Sequence, residues 1–199
     1  MSEKPDMTAL IGSRICHDLI SPIGAIGNGV ELLMMDGLGK SPELQLILDS
    51  VASANARVRF FRVAFGAAGP NDQKLSAGEI RDILTTLGRG GRIRIDWKPD
   101  DPSARREVKL VFLMILCLES ALPFGGQIEI LRPDQRWVVR GAGGKQRIDA
   151  PLWNLLADPT LTADLAPAEV HFAILRDELS RQHRRLSTKI DTDEISFSF

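Results

Sequence analysis

The sequence predicts an α+β chain in two parts. Residues 1–70 read as an antiparallel helical hairpin that pairs with a second copy into a four-helix bundle, and residues 71–199 as an α/β sandwich. Three observations lead there. Apolar residues recur at helical spacing through residues 6–36 and again through 42–65, with Gly37, Gly39 and Pro42 between the two runs. Residues 67–74 then gather glycine, proline, asparagine and aspartate, the composition of a linker. Beyond it, strand-like alternation is interspersed with helical periodicity able to cover one face of a sheet.

Composition narrows the function. Hydrophobic residues make up 44% of the 199, ample for a packed core. The 25 basic and 26 acidic residues leave a formal charge of -1, so the chain carries no electrostatic footprint for nucleic acid or an anionic membrane. The first ten residues lack the layout of a secretory signal and no apolar run approaches a membrane span, so the expected location is the cytoplasm. Cys16 and Cys117 fall in apolar helical patterns without a CxxC spacing and read as buried small hydrophobes. His17, His171 and His183 are too scattered to form a metal-ligand set.

In the first helix, with Ile15 set at zero and about 100° added per residue, Ile11, Leu19, Pro22, Ile26, Val30 and Leu33 fall within about 60° as an apolar stripe. His17 lies near the opposite pole, among Ser13, Ser21, Gly24, Asn28 and Glu31, with Leu10 and Ile20 at the edges. These small and polar neighbours leave a surface low enough for another protein to approach the imidazole. Pro22 lacks the N–H that would bond the carbonyl of Asp18, so a bent, partly unpaired turn is expected beside His17. By residue type alone, His17 reads as an ordinary surface histidine; its context singles it out.

The second helix starts at Ser41 or Pro42 and repeats apolar residues at Ile47, Val51, Ala54, Val58, Phe61 and Phe65, a coiled-coil-like seam. Of the adjacent Phe60 and Phe61, at least one must be core. Two amphipathic helices alone leave one side of each stripe uncovered. A second copy closes the bundle, which is the expectation adopted here, or the second part of the same chain covers it.

In the second part, Ser76 caps a helix to Leu87, with Glu79 completing a capping box. Residues 92–97 alternate as a strand. Residues 105–121 form an apolar helix destined for the core, stopped by Pro123, Gly125 and Gly126. Strands follow at 127–131 and 137–140, helices at 151–157 and 167–183, and two terminal strands at 186–190 and 195–199. The glycine-rich residues 140–145 lack the spacing of a phosphate loop and read as a turn.

The run Arg14-Ile15-Cys16-His17-Asp18-Leu19-Ile20-Ser21-Pro22 resembles the dimerisation and phosphotransfer domain of sensor histidine kinases. There the phosphorylatable histidine is followed by an acid and, five positions on, a proline, and His17, Asp18 and Pro22 match residue by residue. The element order after residue 71 is similar to the kinase ATP-binding domain, of Bergerat type. Its chemistry departs from that pattern. Kinases carry asparagines for magnesium and phosphate on the long helix before the glycine turn; counted back from Gly126, those positions hold Leu113 and Cys117, and neither coordinates a hard cation. Where the adenine-reading DxGxG box belongs stands Val139-Arg140-Gly141-Ala142-Gly143-Gly144, with valine for the aspartate.

A histidine domain kept beside a degenerate ATP site looks like the ChpT family of histidine phosphotransferases of alphaproteobacteria. The segments Cys16-His17-Asp18-Leu19-Ile20-Ser21-Pro22-Ile23-Gly24-Ala25-Ile26 and Arg57-Val58-Arg59-Phe60-Phe61-Arg62-Val63-Ala64-Phe65-Gly66 resemble its signatures. The resemblance implies a homodimer that moves phosphoryl groups between receiver-domain aspartates through His17, with a phosphohistidine intermediate, no ATP and no cofactor of its own. Mg2+ comes with the receiver domain. The implied partners are an upstream hybrid kinase and response-regulator receiver domains like those of CtrA and CpdR.

Neutral imidazole, with an ordinary pKa of about 6.5, is a competent nucleophile near neutral pH. Asp18 either holds its second ring nitrogen or is a solvated helix acid pairing with Arg14. Ile20, Ser21, Gly24 and Asn28 are candidate docking residues. Arg14, Arg57, Arg59 and Arg62 either steer an acidic receiver site or form a solvated basic face. Two rival functions follow from the same residues: an ATP-dependent sensor histidine kinase, and a non-catalytic dimeric adaptor for response regulators.

Overall fold

A computed structural model describes residues 7–34, 41–67, 73–89, 91–158, 161 and 165–199; within the first helix, the side chains of residues 7–11, 13–15, 17, 18, 21 and 22 lie outside the description. Helix α1 (Met7–Leu33) and helix α2 (Pro42–Ala64) form the expected hairpin. Ser41 caps α2, its hydroxyl oxygen accepting from the Glu43 N–H at 3.2 Å, and Pro42 takes the first position, where its missing N–H costs nothing.

Small residues let the two helices approach closely. A Cβ on Gly12 would lie 3.6 Å from the Phe65 carbonyl oxygen, and one on Gly27 3.2 Å from a Val51 methyl. Cys16 and Val30 are buried along the same line. The face of α1 turned to α2 is therefore Gly12, Cys16, Gly27 and Val30, rotated from the predicted stripe. Of that stripe Leu19, Ile26 and Leu33 stay 45%, 55% and 47% exposed.

A similar correction applies to α2. Its buried residues are Ala56, Phe60, Val63 and Ala64, while Ile47 of the predicted seam is exposed and Phe61 and Phe65 are only partly buried. The cause is the second part of the chain, which packs on a face that counting repeats within α2 does not reveal. Phe60 is fully buried, its ring stacked on Phe112 with centroids 4.4 Å apart.

That second part holds β1 (Lys74–Leu75), α3 (Ala77–Gly88), β2 (Ile93–Trp97), β3 (Ser103–Ala104), α4 (Arg105–Ala121), β4 (Gly126–Leu131), β5 (Val138–Gly143), α5 (Ala150–Ala157), α6 (Val170–Arg181), β6 (Ser187–Ile190) and β7 (Glu194–Ser198). The predicted order of helices and strands is found, with β1 and β3 as an added two-stranded ladder. Ser76 caps α3 by accepting from the Glu79 N–H at 3.1 Å. The main sheet runs β2-β4-β5-β7-β6, parallel only between β2 and β4. Alternation along the strands buries Ile128, Ile130, Val139, Ile195 and Phe197 in one core with α4, whose residues from Val108 to Ile115 are almost wholly enclosed.

Two glycines set the join between α4 and the sheet. Gly125 turns the chain at φ +95°, where a Cβ would lie 2.3 Å from the Arg92 carbonyl oxygen. Gly141 lies under Leu118, whose methyl group would meet a Cβ there at 2.9 Å. The glycine-rich stretch is thus strand through Gly143, not the turn expected from composition: its glycines are needed for close packing of helix on sheet. No helix among the described residues is long and apolar enough to cross a membrane.

His171, on α6, is 6% exposed, and its Nε2 has no hydrogen-bond partner among the described residues. Burial holds its pKa down to about 4, against the pull of the Ala168 backbone and Glu169. The folded state therefore keeps the ring neutral while the unfolded chain takes up a proton below its ordinary 6.5. The stability from this site is complete above pH 6.5 and is lost as pH falls toward 4, by about 3 kcal/mol in full. Urea unfolding at pH 7 and pH 4 checks this: His171→Leu should flatten the decline by about that amount, and an unchanged decline would contradict it.

Candidate functional site

Helix α1 runs unbroken through His17, Asp18 and Pro22, so the proline does not end it. The side chains of Arg14, His17, Asp18 and Ser21 lie outside the described residues, as do those of Ile11, Ile15 and Pro22. Their neighbours on the helix define the surface. Ile20 is partly buried, Asn28 is exposed, and a Cβ on Gly24 would meet nothing within 4 Å. The face seven and eleven residues on from His17 is open and low.

Behind this turn stands the end of α2. Gly12 faces Phe65, and the buried Cys16 thiol, raised by burial, feels the Arg62 guanidinium pulling the other way. Arg62 is exposed. Arg57 and Arg59 are engaged elsewhere: Arg57 Nη1 is 3.3 Å from Glu119 Oε2 on α4, with its guanidinium 5.9 Å over the Phe61 ring, and Arg59 Nη1 is 2.7 Å from Asp82 Oδ2 on α3. The structure brings these two together with the second part of the chain.

Sequence reasoning passed over three residues of α4 and α6 that gather against the end of α2. Arg105 Nη2 donates to the Arg62 carbonyl, and Lys109 Nζ to the Gly66 carbonyl, both at 2.9 Å. Glu178 of α6 faces Lys109 at 3.3 Å. The available signal was the run of cations opening α4, an unfavourable place for them in an isolated helix.

On the outer side of the hairpin, Ile23, Ile26, Leu46, Ile47, Val51 and Ala54 line an apolar groove of about 370 Å³. On the inner side, the positions that the kinase resemblance assigns to metal and phosphate are filled with core. Leu113 and Cys117 are fully buried, and burial pushes the Cys117 thiol well up, away from the thiolate a metal needs. Leu118 covers Gly141, and Leu122 lies 3.0 Å from where a Cβ on Gly143 would stand.

Comparison with known proteins accords with this geometry. The family described as histidine phosphotransferase C-terminal domain matches residues 77–194. The protein phosphotransferase ChpT of Brucella abortus (strain 2308) is 32% identical over 97% of this chain and 94% of its own length. A solved structure of a bacterial phosphotransferase at 1.7 Å superposes with a TM-score of 0.66, at 29% identity, covering all of this chain and 97% of that one. The chain belongs to the histidine phosphotransferase family, and its function is that of a phosphorelay phosphotransferase.

Proposed function

We propose that His17 carries the phosphoryl group, taking it from the aspartyl phosphate of one receiver domain and passing it to the aspartate of another. The reading rests on one observation: a histidine followed by an acid and, five residues on, a proline lies on the hairpin helix of a histidine phosphotransferase, beside the open surface of Gly24 and Asn28. In the transfer, one ring nitrogen of neutral imidazole attacks phosphorus as the bond to the aspartyl oxygen breaks, returning a carboxylate to the receiver. The other nitrogen keeps its proton, held by Asp18, and the reverse step restores the neutral ring. Such a reaction depends on in-line positioning and charge neutralisation, and the Mg2+ that supplies the second belongs to the receiver domain.

Docking runs along Ile20, Ser21, Gly24 and Asn28, where side chains are small. Arg14 and Arg62 steer the acidic receiver site, while Arg57 and Arg59, tied to Glu119 and Asp82, set the position of α2. A nucleotide does not fit the second part: Leu113, Cys117 and Val139 offer no ligand to metal or adenine, and Leu118 on Gly141 closes the gap between α4 and β5. The partners are receiver domains of the CtrA and CpdR kind and an upstream hybrid kinase, in the cytoplasm.

The chain acts as a homodimer. Leu19, Ile26, Leu33, Leu46 and Ile47 are exposed on one side of the hairpin, and a second copy laid on them forms a four-helix bundle. Ile26→Glu should convert a dimer to a monomer in sedimentation equilibrium; a wild-type chain that is itself monomeric would contradict this. His17→Ala should abolish phosphoryl relay from one purified receiver domain to another, with the urea midpoint equivalent to within about 0.5 kcal/mol of wild type. Undiminished relay by that variant would contradict His17 as the phosphate carrier.

A further inference from the structure

Helix α4 opens against ordinary electrostatics. The N-terminus of a helix carries partial positive charge and favours acids, such as Glu107 in its first turn, yet Arg105, Arg106 and Lys109 outnumber it in the first two turns. Two of these cations are deeply placed, Arg105 at 9% and Lys109 at 3% exposure. Their compensation comes from the end of α2, where the last carbonyls carry the negative end of the helix dipole, and from the residues just after it. Arg105 Nη2 donates to the carbonyl of Arg62 in the last turn of α2, and Lys109 Nζ to that of Gly66, two residues past the helix end. The Arg105 N–H is fixed as well, donating to the Gln73 carbonyl at 2.8 Å. Glu178, buried in its turn, pairs with Lys109 while its other oxygen accepts from Gln182 Nε2 at 2.9 Å. The cluster draws together α2, the segment after it, α4 and α6.

The part of α1 around His17 packs on this same end of α2, with Gly12, just over one turn before it, against the Phe65 backbone and Cys16, beside it, buried near Arg62. We propose that Lys109, backed by Glu178 and assisted by Arg105, is a positioning residue for phosphoryl transfer: it holds the last turn of α2, and with it the His17 turn, at one fixed orientation on the second part of the chain. The proposal rests on His17 being the phosphoacceptor. It explains a buried ion pair at the joint, where apolar side chains would serve stability equally well. It also gives the second part a task in a protein without a nucleotide site.

The test replaces the pair with apolar groups of similar size, Lys109→Met with Glu178→Leu, an exchange that leaves no buried charge unpaired. Amide hydrogen exchange at residues 12–18 and 61–66 should accelerate about tenfold or more while the sheet is unchanged. Single-turnover transfer from a CtrA-type receiver domain, phosphorylated with acetyl phosphate, should slow about tenfold or more, with receiver affinity kept within about threefold. If the double variant does not fold, Arg105→Met removes one donor, keeps the buried pair and carries the same readouts. Wild-type exchange and rate in a folded variant would overturn the proposal, and so would a loss wholly in receiver affinity. If the wild-type chain takes no phosphate at His17, the proposed function fails, whereas the exchange measurement still decides whether the clamp holds the turn.

Discussion

The arrangement of this molecule depends on the burial of the C-terminal half of α2 in the core of the second part. Phe60, fully enclosed and stacked on Phe112, makes the hairpin and the sandwich share one hydrophobic cluster, which also takes in Ala56, Val63 and Ala64. Once that side of the hairpin is occupied, the other sides are assigned. The line of Gly12, Cys16, Gly27 and Val30 joins α1 to α2. By helix geometry Leu19, Ile26 and Leu33 fall about 65° to one side of that line, and Gly24 and Asn28 about 115° to the other. One chain thus carries an exposed apolar face and a low polar face on different sides of the same helix, the first suited to the proposed second hairpin and the second to the proposed docking of a receiver domain.

The second part has a layered α/β architecture whose interior is closed at Leu113, Cys117 and Leu118. Closure is made by packing. Gly141 has no side chain, so Leu118 settles against the strand; Gly143 admits Leu122 in the same way. A core built so tightly is rigid, and rigidity suits the positioning role proposed for this part of the chain. The buried polar groups are concentrated at the joint. Glu107 accepts from Arg132, Trp137 and Arg184, Arg105 holds the Arg62 carbonyl at the end of α2 and Lys109 the Gly66 carbonyl just after it, so the base of α4 is where strands, α6 and hairpin are tied together.

Much of this was legible in the sequence. The two hairpin helices, the Ser76 cap, the buried α4, the glycine turn and the terminal strand pair follow from local periodicity and local chemistry, which residues near in sequence decide. The faces of α1 and α2 did not follow, because which side of an amphipathic helix is buried depends on a partner remote in sequence. Phe60 shows this: inside α2 it is out of step with the Ile47 to Phe65 seam, and only Phe112 explains it. The glycines of β5 misled for a related reason, since their role is to receive Leu118 across the layer. Of the candidate site, His17, Asp18 and Pro22 were legible as a motif. Lys109 and Glu178 were not, because the cations opening α4 mark an unusual helix start without telling which remote carbonyls and carboxylate they reach.

The most direct measurement of the central claim is to place the phosphate chemically. The purified chain is mixed with a receiver domain phosphorylated by acetyl phosphate, digested at alkaline pH, and its phosphopeptides sequenced by mass spectrometry. The account predicts a single nitrogen-linked phosphate, lost in acid, on His17. Phosphate on any other residue, or label that never leaves the receiver, would contradict it.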